Sequence, residues 1–201
     1  MTVVTPLRSD LALIASLIAQ GSRVLDLGCA DGSLLRHIID HDRCTGTGVD
    51  TDPDSVLGAI RSGVPLIELD VDSDLGMFAD DSYDVVVLSR TLQTVRKPSA
   101  VLTEMARIAP RCIVSMPNFG YWRNRVRLAR GWMPRSKDLP YEWHDTPNIH
   151  HATLHELEDL FTGLGLTIAQ RVPLRADGRP AKVADHLANL ASSSAVYVLT
   201  R

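Results

Sequence analysis

Residues Val24 to Ser33 constrain this chain more than any other stretch. They read Val-Leu-Asp-Leu-Gly-Cys-Ala-Asp-Gly-Ser. A short apolar run carries one acidic residue, Asp26, near its end. A tight turn follows with Gly28, Ala30 and Gly32. Leu34–Ile39 then reads as helix. A parallel strand hands over to a helix in this way, and the helix N-terminus then faces a ligand.

The rest of the first half repeats that unit. The spacing predicts a helix from a Ser9-Asp10 cap to about Ala19, then strands at Arg23–Leu27, Thr45–Val49, Pro65–Leu69, Asp84–Leu88 and Arg111–Met116. Helices are predicted from Pro53 to Ser62 and over Ser99–Ile108. Val85, Val86, Val87 and Leu88 form an unbroken apolar run, as in a strand covered on both faces. After residues 117–150, which show no clear strand, Thr153 and Glu156 make a capping box for a helix to Leu164. Leu166–Val172 and Ala195–Leu199 read as the last strands, with a polar loop over Pro173–Pro180 and a short helix over Ala181–Ala191 between them. This alternation predicts an α/β fold, doubly wound, with a mostly parallel seven-stranded sheet. At 201 residues and 45% apolar composition, one packed domain over 1–201 is expected, with an aromatic and basic insertion at about 117–150.

Ligands bind outside the carboxyl ends of such strands, so the residues there are the candidate site. After strand 1 these are Asp26, Gly28, Ala30 and Gly32. After strand 2, Asp50 is placed to accept hydrogen bonds from both hydroxyls of a ribose. After strand 3, Asp70 and Val71 are placed for an adenine edge. After strand 4, Ser89, Thr91, Leu92 and Gln93 border the reacting end. The dinucleotide fingerprint G-x-G-x-x-G is absent, and Ala30 stands where a middle glycine would let a pyrophosphate approach. That counts against NAD or FAD. S-adenosylmethionine or S-adenosylhomocysteine carries no phosphate and fits better.

The second informative stretch is 119–143. It holds Phe119, Tyr121, Trp122, Trp132, Tyr141 and Trp143, six of the ten aromatics and all three tryptophans. Arg123, Arg127 and Arg130 fall at spacings of four and three, on one helical face. Three readings stand: a solvated basic helix, a partner-docking surface or lid, and a platform for single-stranded nucleic acid. The net charge of −3 weighs against the last. His144, His150, His151 and His155 match no standard zinc spacing, so no metal is expected. No nucleophile signature such as G-x-S-x-G occurs, and strand 4 does not end in the Asn/Asp-Pro-Pro-Tyr pattern of amino-group methyltransferases. No catalytic residue can therefore be named. No apolar run nears a membrane span and no signal peptide is visible. The three cysteines, Cys29, Cys44 and Cys112, lack C-x-x-C spacing and fit a reducing cytoplasm.

Val24–Gly32 with Asp50 resembles motif I and the ribose-binding acid of class I methyltransferases. Longer stretches resemble the methionine-biosynthesis protein MetW family. They are Leu7–Leu11, Val85–Gln93, Ile113–Arg123 and Leu139–His150, and the Pro-Asn-Phe-Gly-x-Trp-Arg and Asp-Thr-Pro-Asn-Ile-His runs are distinctive. The likeness covers nearly the whole chain and departs at Ala30, where the family usually has glycine. It implies a class I methyltransferase fold and a role beside homoserine O-acyltransferase (MetX) in a hetero-oligomer, with Tyr121, Trp122, Arg123, Arg127, Tyr141 and Trp143 as the partner surface. It implies no nucleic-acid or membrane partner. Three expectations follow: an accessory subunit whose cleft senses the pathway's product, an active methyltransferase on a small molecule, or a scaffold with a vestigial cleft.

Overall fold

The computed structural model describes residues 7–61 and 63–201, so the expected end of the third helix at Ser62 lies outside the described residues. Seven strands form one sheet: β1 Arg23–Leu27, β2 Thr45–Asp50, β3 Leu66–Glu68, β4 Val85–Ser89, β5 Arg111–Pro117, β6 Thr167–Leu174 and β7 Ser194–Thr200. Their order is β3-β2-β1-β4-β5-β7-β6. Six strands run in one direction, and β7 inserts antiparallel between β5 and β6. The sheet is thus mixed but mostly parallel, as the alternation predicts.

Alternate residues of the apolar strands bury on opposite faces, which is why the run at β4 has no polar break. Val24, Val85 and Val87 face one core layer with α1 Ser9–Ser16, α2 Ser33–Asp42 and α3 Pro53–Arg61. Leu25, Leu27, Val86 and Leu88 face the other, with α4 Pro98–Ile108 and α6 Leu154–Gly163. Helix α5 spans Trp122–Ala129 and buries only Asn124 of its residues. The order reverses between β1 and β4, so the cleft of a doubly wound sheet lies at their carboxyl ends.

Three local expectations change. Helix α1 stops at Ser16 rather than near Ala19, and Ser9-Asp10 does not cap it. Arg8 holds the cap position without a side-chain bond, and Asp10 lies inside the first turn, buried and ion-paired to Arg8 and Arg90. The helix over Ala181–Ala191 shrinks to a 3₁₀ turn at Asp185–Leu187 and a short α7 at Ala188–Ala191. The Ala181 N–H donates to the Pro173 carbonyl at 2.8 Å, which keeps the chain extended there. Strand β3 shortens to three residues, as befits an edge with one neighbour. The capping box at α6 forms as expected: Thr153 N–H donates to Glu156 at 2.8 Å and Glu156 N–H to Thr153 Oγ1 at 3.4 Å. No helix among the described residues is long and apolar enough to cross a membrane.

Candidate cofactor cleft

The turn after β1 is built from left-handed residues. Gly28 and Gly32 have φ +70° and Ala30 has φ +48°. A Cβ on Gly28 would lie 2.7 Å from Thr91 Cγ2, so only glycine fits where the β4 loop crosses the β1 turn. Ala30 holds a left-handed conformation that costs an L-residue about 1 kcal/mol. The Asp50 carboxylate braces it: Ala30 N–H donates to Oδ2 at 2.8 Å, and Asp52 N–H donates to Oδ1 at 3.0 Å. Gly28 and Cys29 N–H both donate to the Val49 carbonyl, at 2.7 and 3.1 Å. The β1 turn and the end of β2 are therefore one unit, and each Asp50 oxygen keeps a lone pair for a ligand.

Asp26 is buried beside this unit. Burial pushes its carboxyl up to about 7, the nearby Asp50 charge adds to the rise, and Arg8 opposes it. Burial and its carboxylate neighbours also push the Cys29 thiol up, so that cysteine is an inert packing group.

The β4 end brings in a residue that sequence reasoning missed. Ser89 shares a 3.2 Å hydroxyl contact with Ser115 of β5, and Thr91 Oγ1 donates to the Ser89 carbonyl at 3.2 Å. Between them Arg90 takes φ +56° and its side chain enters a largely buried ion cluster. Its guanidinium meets Asp10 at 3.0 Å and Asp138 at 2.8 Å, both with nearly buried side chains. Gln93 Nε2 donates to the Arg90 carbonyl at 2.5 Å, and the Gln93 carbonyl accepts from Ile149 and His150 N–H at 3.0 and 3.1 Å. The loop that borders the cleft is thus tied to α1, to Asp138 and to 149–150. No short-range spacing signals such a cluster. Only the family-like run Val85–Gln93, which includes Arg90, marked the place.

Asp70 does not present a free carboxylate. Arg96 donates to Oδ2 at 2.6 Å and Asp72 N–H to Oδ1 at 2.9 Å. Val71 is half-buried against the core cluster that holds Leu69.

In the 117–150 segment, Arg123, Arg127 and Arg130 line one cavity, so the helical-face expectation describes α5. Trp122, Tyr141 and Trp143 are exposed, while Tyr121 is buried to the edge of that cavity, against Trp122 at 5.9 Å. The histidines disperse: His151 stacks on Phe119 at 4.8 Å and His144 lies edge-on to Trp143. Burial and then His150 lower the His151 pKa. No group of three His, Cys, Asp or Glu among the described residues could hold a metal.

The fold has known counterparts. A S-adenosylmethionine-dependent methyltransferase from Mesorhizobium loti matches with TM-score 0.68 and 16% identity, over 96% of this chain and 98% of that one. The [4+2]-cyclase SpnF matches with TM-score 0.68 and 14% identity, over 95% and 79%. These likenesses show the fold, and the second shows that it serves chemistry other than methyl transfer. A bifunctional methionine biosynthesis protein MetXA/MetW of Rhodopirellula baltica is 33% identical over 205 residues, covering 97% of this chain. The chain spans 33% of that relative's length. The profile of the methionine biosynthesis protein MetW family matches residues 8–199. The chain belongs to the MetW family.

Proposed function

We propose that this chain is an accessory subunit of a homoserine O-acyltransferase in methionine synthesis, with a cleft that holds S-adenosylmethionine or S-adenosylhomocysteine. The observation that carries the reading is the relative in which a MetW unit shares one polypeptide with MetXA. Two units joined in one chain there are expected to meet here as separate subunits. The exposed Trp122, Arg123, Arg127, Tyr141 and Trp143, with Tyr121 behind them, are the surface offered to the partner. Gel filtration of the chain mixed with a MetX-type acyltransferase tests this. The expected result is a single faster-eluting species; separate elution at every concentration tried would reject the assembly.

The cleft residues suit an adenosyl ligand. Asp50 retains acceptor capacity for a ribose diol, and Asp26 is a buried acid that a cationic amino group would relieve. When bound, S-adenosylmethionine supplies an activated methyl group. The chain's own part is to bind and orient it, since no general base or amino-group motif stands at the β4 end. The methyltransferase alternative rests on the same cleft and would require an acceptor positioned there. For the ligand to act as a signal, it must bind the free and assembled forms with different affinities.

Asp26 makes ligand binding depend on pH. Its carboxyl is held up to about 7 in the folded chain, against 3.8 ordinarily. The folded state therefore binds the extra proton, and stability falls as pH rises from about 4 to about 7. A cationic ligand prefers the ionised form, so S-adenosylmethionine affinity should rise roughly tenfold from about pH 6 to about pH 7.5. Calorimetric titration at several pH values reads this. Asp26→Asn should flatten the dependence, and a slope unchanged in that variant would assign it to another group.

A further inference from the structure

The 121–143 segment, with Ala176 and Ser193, lines two open hollows that meet. One, of about 400 Å³, has walls of Trp132, Met133, Tyr141 and Trp143. The other, of about 550 Å³, is lined by Arg123, Arg130 and Lys137 beside Trp122. Arg127 and Arg135 line both, so the aromatic and cationic spaces are contiguous.

Two properties set this surface apart, although Arg123 lies over the Trp122 ring at 5.3 Å and Arg127 donates to the Met133 carbonyl at 3.1 Å. Arg135 pairs with Glu142, but among the described residues Arg123, Arg127, Arg130 and Lys137 pair with no carboxylate. Elsewhere the chain pairs arginines with carboxylates freely, as at Arg23, Arg107 and Arg171, and its net charge is −3. The concentration of unneutralised positive charge is therefore local. Trp132 and Trp143 are 68% and 74% exposed, an unusual place for large aromatics on a soluble surface. Arg and Trp together are the residue types that carry most interface energy.

We infer that this double cavity docks an acidic segment of the partner protein that carries an apolar or aromatic anchor next to its carboxylates. The anchor enters the aromatic space, and the carboxylates meet the Arg127–Arg130–Lys137 side. This deepens the assembly reading and rests on it for the partner's identity; the chemistry of the surface stands without it. A protein segment fits better than a nucleic-acid strand, because the cations border two hollows, one of them walled by aromatic side chains, rather than a continuous track.

All three tryptophans, Trp122, Trp132 and Trp143, belong to this surface. Intrinsic tryptophan fluorescence therefore reports its occupancy directly. The full chain would be titrated with a short poly-glutamate peptide bearing one central phenylalanine, with a poly-lysine peptide of the same design, and with a single-stranded oligonucleotide. The glutamate peptide should give a saturating change that weakens at least tenfold as salt rises, and the lysine peptide none. Arg127→Glu with Arg130→Glu should weaken it at least tenfold while the circular dichroism stays unchanged. Trp143→Phe should keep the binding with a smaller signal. No change with the glutamate peptide would overturn the inference, as would tighter binding of the oligonucleotide. The peptide titration needs no acyltransferase. Failure of the acyltransferase to co-elute therefore rejects the assembly reading alone, and a silent peptide rejects the surface chemistry alone.

Discussion

Arg90→Ala is expected to lower stability by about 3–5 kcal/mol, the cost of leaving buried charges without their partner. The guanidinium holds Asp10 at 3.0 Å and Asp138 at 2.8 Å, and both carboxylate side chains are at most 4% exposed. Asp10 keeps a second contact, to Arg8 at 3.2 Å, but Arg8 is mostly exposed. Asp138 Oδ2 is buried with no partner at all, so Asp138 depends on Arg90. The backbone supplies a control. Arg90 sits at φ +56°, where glycine is spared a strain of about 1 kcal/mol that alanine keeps. The order of stability should be wild type, then Arg90→Gly, then Arg90→Ala. Urea unfolding curves measure it. A loss of under about 1 kcal/mol in Arg90→Ala would show that the cluster is solvated and does not organise the cleft.

Saturating S-adenosylmethionine should raise the unfolding temperature by several degrees. At about a hundred times its Kd a ligand adds about 2.7 kcal/mol, and a chain of this size shifts by about 2–4 °C per kcal/mol. Asp50→Ala should remove the shift. It deletes the acceptor for the ribose, where charged hydrogen bonds contribute about 1.5–3 kcal/mol each. It also frees the Ala30 and Asp52 N–H groups that Asp50 now holds. The left-handed Ala30 loses that bond, so the turn itself should loosen. A full ligand shift in Asp50→Ala would move the ribose site elsewhere.

Much of this architecture could be read before the structure. Four consecutive apolar residues at β4 permit only a strand buried on both faces, and Val85/Val87 and Val86/Leu88 do divide between the two core layers. Asp26, Gly28 and Asp50 converge because strand ends in a doubly wound sheet must. What stayed hidden was non-local. Ser9-Asp10 carries the local signature of a helix cap, yet Arg90, eighty residues away, claims Asp10 for an ion pair and moves the helix start. Position alone marks Asp70, and its ion pair with Arg96, 26 residues on, is a contact that spacing does not show. Tyr121 reads as surface from its neighbours, though it folds back against the Asn118 turn and is buried. Residues 181–184 lack a strong pattern, and a backbone bond to Pro173 decides them against helix. At Asp10 and Ala181 a partner outside the local pattern overrides a local preference, and spacing along one chain cannot show such a partner, whereas Tyr121 follows a turn bond only three residues back.

The arrangement implies a division of labour. The β1–β2–β4 ends form the candidate cofactor cleft, and α5 with the 131–143 loop forms an outward aromatic and cationic face. Arg90 and Gln93 join them through Asp138 and residues 149–150. On the proposed reading, one loop thus joins the ligand cleft to the docking face.

The most direct test of this account is the rate of a MetX-type homoserine O-acyltransferase, assayed alone and with an equimolar amount of this chain. The account predicts a several-fold gain in activity or in active lifetime on addition of the chain, lost with Arg127→Glu and Arg130→Glu together. An acyltransferase that neither binds the chain nor changes its rate or lifetime in its presence would contradict it.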